Sequence, residues 1–235
     1  MGPDRDLPAD ALVAVLSSAP HRAPAGSSWL GRTAAPIARA KTEADAESTF
    51  QPQRRLKAAR AFVELFRFLP AMVSAWLDLV IVYVLTDIYM SHGMGWSGVI
   101  AAFAWSGVVL TVASTVACLV PVLVKWALMG RFRESERPLF SSFVWRNELT
   151  DVFAESLAVP SMIRLSVGSP LFNVWARLMG AHIGRGVWCE TWWLPEFDLV
   201  RLEDNVSVNR GTVLQTHLFH DRIMRMEPVT MRRGS

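Results

Sequence analysis

Residues 96–124 carry no charged side chain over 29 positions, and nothing else in the chain restricts its fold so severely. A helix of that length exceeds the ~20 residues needed to cross a hydrocarbon layer about 30 Å thick. The stretch is therefore expected to be a transmembrane helix, with Pro121 near its end, where a kink or an exit is tolerable. A second apolar stretch, residues 69–90, holds Asp78 and Asp87. A carboxylate at the centre of an inserted helix costs roughly 2.5–3.5 kcal/mol, which the surrounding Val, Ile, Leu, Trp and Met offset. Asp87 is close enough to the end to reach the interface. Asp78 has two readings: a proton or cation relay, or a carboxyl group that is protonated or bonded to Ser106, Thr111 or Ser114. Neither span contains a basic partner, which favours the second. Only Ser91-His-Gly-Met-Gly95 joins the spans, so they make a hairpin. Arg54, Arg55, Lys57, Arg60 and Arg67 precede it, and Lys125, Arg131, Arg133 and Arg137 follow. The positive-inside rule then puts both termini in the cytoplasm of a cell-membrane protein.

A different period governs the C-terminal part. Ile183-Gly-Arg-Gly-Val187-Trp, Leu202-Glu-Asp-Asn-Val206-Ser and Val208-Asn-Arg-Gly-Thr212-Val each open on an aliphatic residue and place Gly or Asn three positions on. Gly186, Asn205 and Gly211 suit the left-handed corners between short strands, and the aliphatic residues suit a coil interior. Leu214 continues the phase. Ile183 is one residue out of register with Leu202, so residues 189–198 are expected to hold an insertion or a corner. Strands of this kind bury a face only by stacking. Met231-Arg-Arg-Gly-Ser235 begins another unit and stops, as the front edge of a β-helix would. The repeat resembles the left-handed β-helix of hexapeptide-repeat acyltransferases.

The expected fold class is thus a membrane protein: an α-helical transmembrane hairpin, then helices, then the truncated start of a left-handed parallel β-helix. The chain divides on this reading into four segments. Residues 1–53, rich in Ala, Pro, Ser, Arg and Asp, read as a disordered tail. Residues 54–137 comprise the hairpin and a cationic amphipathic lead with Leu56, Ala59, Phe62, Val63 and Phe66 on one face. Residues 138–180 read as helices broken at Pro160 and Pro170, lying on the membrane or over the open end of the β-helix. Residues 181–235 carry the repeats. The composition, 51% hydrophobic with 10 tryptophans, departs from that of an average soluble domain. The net charge of +3 tracks the membrane flanks, which argues against nucleic acid as a partner. Cys118 and Cys189 make no disulfide framework, no zinc spacing is present, and the N-terminus lacks the pattern of a cleavable signal peptide.

The order of parts, with Phe143-Val-Trp-Arg-Asn-Glu-Leu149, Gly186-Val-Trp-Cys-Glu-Thr191, Val208-Asn-Arg-Gly211 and Gln215-Thr-His-Leu-Phe-His-Asp221, resembles the C-terminal half of membrane-anchored nonribosomal peptide synthetases of the ε-poly-lysine synthetase type. The similarity runs from about Arg54 onward. It implies an amide-forming acyl- or aminoacyl-transferase region served by adenylation and carrier domains. The amino acid would arrive as a phosphopantetheine-carried thioester, with no cofactor bound directly. The chain departs from that pattern: residues 1–53 are too short for an adenylation domain, and no Gly-Gly-x-Ser carrier motif is present. The resemblance therefore implies a fragment or subunit, inactive alone. Its partners would be membrane lipid, carrier and adenylation domains on another chain, an amino acid or peptide acceptor, and further copies of itself. The rival function is a non-catalytic membrane anchor or scaffold.

Amide formation from a thioester needs a base to take a proton from the attacking amine, and imidazole suits neutral pH. The candidates are His217 and His220, with Asp221 to fix a tautomer. In an extended strand a spacing of three puts the two histidines on opposite faces. His217, which comes after the in-phase Leu214, is the expected base; the bland alternative makes both histidines corner or surface residues. Cys189 beside Glu190 reads as a nucleophile or, more simply, as a small buried hydrophobe. Trp188, Trp192 and Trp193 suit either an acceptor groove or the membrane interface.

Overall fold

The computed structural model describes residues 6–14, 17–38 and 46–235. The chain divides into two compact units, Met1–Glu43 and Ala44–Ser235. In the first, β1 (Leu12–Val13) lies parallel to β2 (Ser28–Leu30), which pairs antiparallel with β3 (Ala35–Ile37). A disordered tail was the expectation. Leu12, Val13, Trp29, Leu30 and Ile37 instead supply enough strand-forming side chains between turns for a small sheet, with Ala19 and Ser28 buried.

In the second unit a 3₁₀ turn over Ala46–Ser48 precedes α1 (Arg54–Leu65), a 3₁₀ turn over Phe66–Phe68 and α2 (Leu69–Ser91), the last three running on from one another without a break. The expected amphipathic lead is split. Leu56 and Val63 pack inward against the core, whereas Phe62 and Phe66 stay exposed. A short turn leads to α3 (Trp96–Leu128), which packs back on α2. The Arg54–Ser91 stretch and α3 are long and apolar enough to cross a membrane. Trp76, Leu79, Tyr83, Ile100 and Phe103 all face outward. At 1.5 Å per residue α3 is about 50 Å long, well beyond a hydrocarbon layer. One face of its last third packs against protein, with Ala117, Cys118, Val122 and Lys125 buried, while Leu119, Leu123 and Trp126 on the other face stay exposed. There the Trp175 indole N–H donates to the Cys118 carbonyl (3.0 Å) and that of Trp126 to the Leu178 carbonyl (2.8 Å). Asp78 lies exposed on α2 and has no bonded partner among the described residues. Two of its expected partners are otherwise engaged: the Ser106 and Thr111 hydroxyls donate to the Phe103 and Gly107 carbonyls of their own helix, each at 2.7 Å.

After α3, β4 (Ser135–Pro138) joins a sheet. Ser141 caps α4 (Ser142–Phe153), its hydroxyl accepting from the Val144 N–H at 3.4 Å. Pro160 does not break the helical path beyond α4. The backbone continues as a π-helical stretch, Ala154–Ile163, into α5 (Arg164–Ser166). The wider i→i+5 winding accommodates a residue that has no N–H to offer. Pro170 instead opens α6 (Pro170–Met179) at the first helical position, where its missing N–H costs nothing.

Short strands then pair in parallel. β5 (His182–Ile183), β7 (Val200–Leu202) and β11 (Val229–Met231) form one ladder, with Ile183 opposite Leu202 and Leu202 opposite Met231. β6 (Trp188–Cys189) and β8 (Ser207–Val208) form another. Gly186 (φ +64°), Asn205 (φ +58°) and Gly234 (φ +74°) turn the corner between the ladders, and Gly211 also has positive φ. A Cβ on Gly186 would come within 2.5 Å of the Asn205 side-chain oxygen, so the stacked corner excludes one. Ile183, Leu202, Val208 and Leu214 are all buried. Among the described residues these ladders close no barrel and are too few to make a solenoid. The repeat segment expected over residues 181–235 is interrupted twice. Residues 190–199 form an irregular excursion ending in a 3₁₀ turn, Phe197–Leu199. The second excursion holds a hairpin of β9 (His217–His220) and β10 (Ile223–Met226), and β10 also pairs antiparallel with β4.

The lower edge of the ladders is covered by side chains and a loop. The Arg177 guanidinium donates to the Ile183 and Gly184 carbonyls (2.9 Å each), and the Asn173 amide donates to the Val187 carbonyl (2.9 Å). The Gly168 N–H donates to the Cys189 carbonyl (2.6 Å). α6 and the residue Gly168 ahead of it therefore satisfy carbonyl acceptors along the outer edge of the ladders. One core joins the end of α3, the π-helical stretch, α6 and the ladder interior. Leu202, fully buried between β5 and β11, is central to it. Leu202→Ala is expected to destabilise the unit by about 2–5 kcal/mol, whereas Leu218→Ala at an exposed strand position should stay within about 0.5 kcal/mol of the parent. Denaturant unfolding of both variants checks this.

Candidate active site

The second excursion places His217 against the first. Its Nδ1 lies 2.9 Å from each Glu196 carboxylate oxygen, and Glu196 is fully buried. The Thr216 hydroxyl donates to Glu196 Oε2 at 2.6 Å, and the Asn147 amide of α4 donates to Oε1 at 3.0 Å. The Glu196 backbone N–H in turn donates to Thr216 Oγ1 (3.2 Å). Three side chains thus converge on one carboxylate, which in its acceptor-only form leaves His217 Nδ1 as the N–H donor. In a neutral imidazole that fixes the tautomer and puts the lone pair on Nε2. Among the described residues Nε2 makes no hydrogen bond. The imidazole is partly exposed beside a cleft of about 190 Å³ lined by Gln215, Thr216, Leu218, Arg225 and Glu227.

The other expected site residues lie elsewhere. His220 Nε2 is 3.3 Å from Asp221 Oδ2, and no hydrogen bond joins His220 to His217. Asp221 and Arg222 both have positive φ (50° and 60°), as the two central residues of a tight hairpin turn require. Asp221 therefore lies beside His220 and shapes the turn, and the carboxylate that meets His217 is that of Glu196. Cys189 is fully buried, its thiol pointing to the Thr191 carbonyl (3.3 Å), and burial raises its pKa. Both features make it a packing residue. Trp188 is half exposed against Gly168, whereas Trp192 and Trp193 stack edge to face with centroids 5.3 Å apart.

These two tryptophans wall a small cleft with Asp151, Glu155, Leu194 and Pro195. Loss of water pushes the Asp151 pKa well above the ordinary carboxylate range, and the charges of Glu196, Glu155 and Glu148 add to it. Glu155 is raised too, again mainly by desolvation, with Arg67 opposing. An acid whose pKa is raised by folding costs stability when ionised, and the cost disappears below its unfolded pKa. Asp151→Asn is therefore expected to raise the thermal midpoint at neutral pH and to give almost no gain near about pH 4. Melting curves in detergent at both pH values check the sign. No cluster fit to hold a metal ion occurs among the described residues.

Glu196 left no signal in the sequence. It lies 21 residues from His217 in the stretch read only as an insertion or corner. Asn147 sits inside Phe143-Val-Trp-Arg-Asn-Glu-Leu149, a motif that marked the region without assigning it a role.

Comparison with known proteins points to the poly-amino-acid synthetases. The chain is 31% identical over 234 residues to the delta-poly-L-ornithine synthetase of Acinetobacter baumannii (strain AB307-0294). The alignment takes in 96% of this chain but 17% of that protein, so the chain spans about a sixth of the length of its relative. No protein-family model matches, and neither does any solved structure.

Proposed function

We propose that this chain is the membrane-seated transferase portion of a peptide synthetase that joins an aminoacyl thioester to an amine, with His217 as the base. The observation that carries the reading is the His217–Glu196 pair, its Nε2 unbonded beside an open cleft. In the step proposed, the amine nitrogen attacks the thioester carbonyl, the C–N bond forms and the C–S bond breaks. His217 Nε2 takes the proton from nitrogen and passes it to the departing thiolate, while Glu196 steadies the transient imidazolium. The similarity to a poly-amino-acid synthetase supports the reaction class. Asp151 and Glu155, desolvated and mutually repelling beside two tryptophans, suit an ammonium-bearing acceptor. The amino acid would reach the site on a carrier arm loaded by an adenylation domain. His220 and Asp221 would act from the hairpin turn.

The same reading takes α2 and α3 as a membrane hairpin with both ends cytoplasmic, supported by their exposed apolar faces and basic flanks. It takes the stacked ladders and corners as the opening coils of a left-handed β-helix. The test supplies the full chain in membranes with a preformed aminoacyl thioester and a free amine, and monitors the amide by mass spectrometry. The family resemblance implies a portion inactive alone, but here the thioester is supplied and every group of the pair belongs to this chain, so amide above the protein-free background is the expected result. No amide from chain that resists alkaline extraction would overturn the transferase reading in favour of a membrane anchor. A reporter fused after Arg137 that reads outside would overturn the topology.

A further inference from the structure

At the foot of α3 lies a cavity of about 470 Å³ lined by Trp126, Arg131, Phe132, Arg133, Arg177, Gly180 and Asp198. Its charge does not balance. Asp198 is the one carboxylate in the lining, and it is already engaged: Lys125 Nζ lies 2.6 Å from its Oδ2, and the Phe132 N–H donates to the same oxygen at 3.2 Å. Arg177 spends Nε and one Nη on the Ile183 and Gly184 carbonyls, which orient the guanidinium without neutralising it. The Arg131 and Arg133 guanidinium groups have no carboxylate or hydrogen-bonding partner among the described residues, the Arg133 carbonyl alone accepting from the Ser135 hydroxyl. Four cations, counting Lys125, thus gather around a single anion.

An apolar track runs straight into this cavity. Val112, Val116, Leu119, Leu123 and Trp126 succeed one another at spacings of four, three, four and three, the repeat that keeps residues on one face of a helix. All five are exposed, and Trp126, the last, forms part of the cavity wall. The track is about 21 Å long at 1.5 Å per residue, more than the roughly 15 Å of one bilayer leaflet. A cationic cavity at the interface end of an exposed apolar track matches a molecule with an anionic phosphate head and a hydrocarbon tail. Guanidinium groups suit phosphate in particular, because their paired N–H donors meet two oxygens at once.

We propose that this cavity binds the phosphate headgroup of an anionic phospholipid, with one acyl chain along Val112–Trp126. The proposal rests on the membrane reading of α3. Inorganic phosphate shares the head chemistry but lacks the tail, so the track is what separates the two sources.

The experiment uses the full chain in nanodiscs of phosphatidylcholine containing a minor share of phosphatidylglycerol. Native mass spectrometry reads the lipid that stays bound on release. The parent is expected to retain one phosphatidylglycerol in clear preference to phosphatidylcholine. Arg131→Gln with Arg133→Gln should weaken that retention roughly 30-fold, at about five- to sixfold per arginine near an anionic surface. Arg54→Gln with Arg55→Gln removes equal charge from exposed positions on α1 and should leave retention nearly unchanged. Equal loss in both double variants would overturn the site in favour of diffuse surface attraction. Release of the lipid by millimolar inorganic phosphate would overturn it in favour of a soluble ligand. Alkaline extraction is run in parallel: chain that washes off the membrane refutes the membrane reading, whereas chain that stays but shows no lipid preference refutes only this proposal. Both arginines are exposed, so unchanged melting of the variant separates loss of the site from loss of the fold.

Discussion

Asp198→Ala is expected to destabilise the second unit by about 3–5 kcal/mol, the usual cost of stranding a buried charge. The Lys125 ammonium is fully buried, lies 3.6 Å from the Trp126 ring centroid, and meets one carboxylate, that of Asp198. Removing that carboxylate leaves the ammonium among aromatic rings and near Arg131 without its counter-charge. Gly180 shows how tightly the pair is held. It ends α6 with φ +116°, and a Cβ there would come within 2.6 Å of Asp198 Oδ1 and 2.9 Å of Lys125 Nζ. The double variant Asp198→Ala, Lys125→Met should recover much of the loss, because a buried pair replaced by apolar groups is often neutral. Thermal and denaturant unfolding in detergent measure all three proteins. If Asp198→Ala unfolds like the parent, the pair does not hold the end of α3 to the soluble body.

His217→Ala is expected to lower amide formation from a preformed thioester by about 10²–10⁴-fold, the range for losing a positioned general base. Glu196→Ala should cost less but leave the same step impaired, since the ring would lose its fixed tautomer and its partner for positive charge. Acting as one unit, the two changes should not add: the double variant is expected to fall little below His217→Ala alone. His220→Ala, at the hairpin turn, should leave the rate within a few-fold. Single-turnover amide formation, with the fold checked by melting, decides it. Additive losses, or a larger loss at His220, would place the base elsewhere.

Local chemistry explains which parts of this molecule could be read in advance. The uncharged run from Trp96 is a statement about solvent, and α3 duly covers Trp96–Leu128. The corners at Gly186, Asn205 and Gly211 are statements about backbone sterics, and all three have positive φ. Ile183, Leu202, Val208 and Leu214 kept their period because each fills the same interior. The features that stayed hidden depend on distant partners. β4 exists because Ser135–Pro138 meets Ile223–Met226 across the fold. Pro160 reads as a helix breaker until the winding around it widens. Glu196 gains meaning only when a hairpin returns His217 to it.

The covering of β5 by α6 gives the stack an origin. With the Ile183, Gly184, Val187 and Cys189 carbonyls already taken by Arg177, Asn173 and Gly168, no strand can be added ahead of β5. Register is counted from that sealed end, and tolerance to change should be directional. A six-residue unit inserted ahead of His182 would pull Arg177 and Asn173 off the carbonyls they cap. The same unit inserted after β8 would lengthen an excursion and leave every capped group in place. Lineages that lengthen or shorten this region should therefore do so on one side of it.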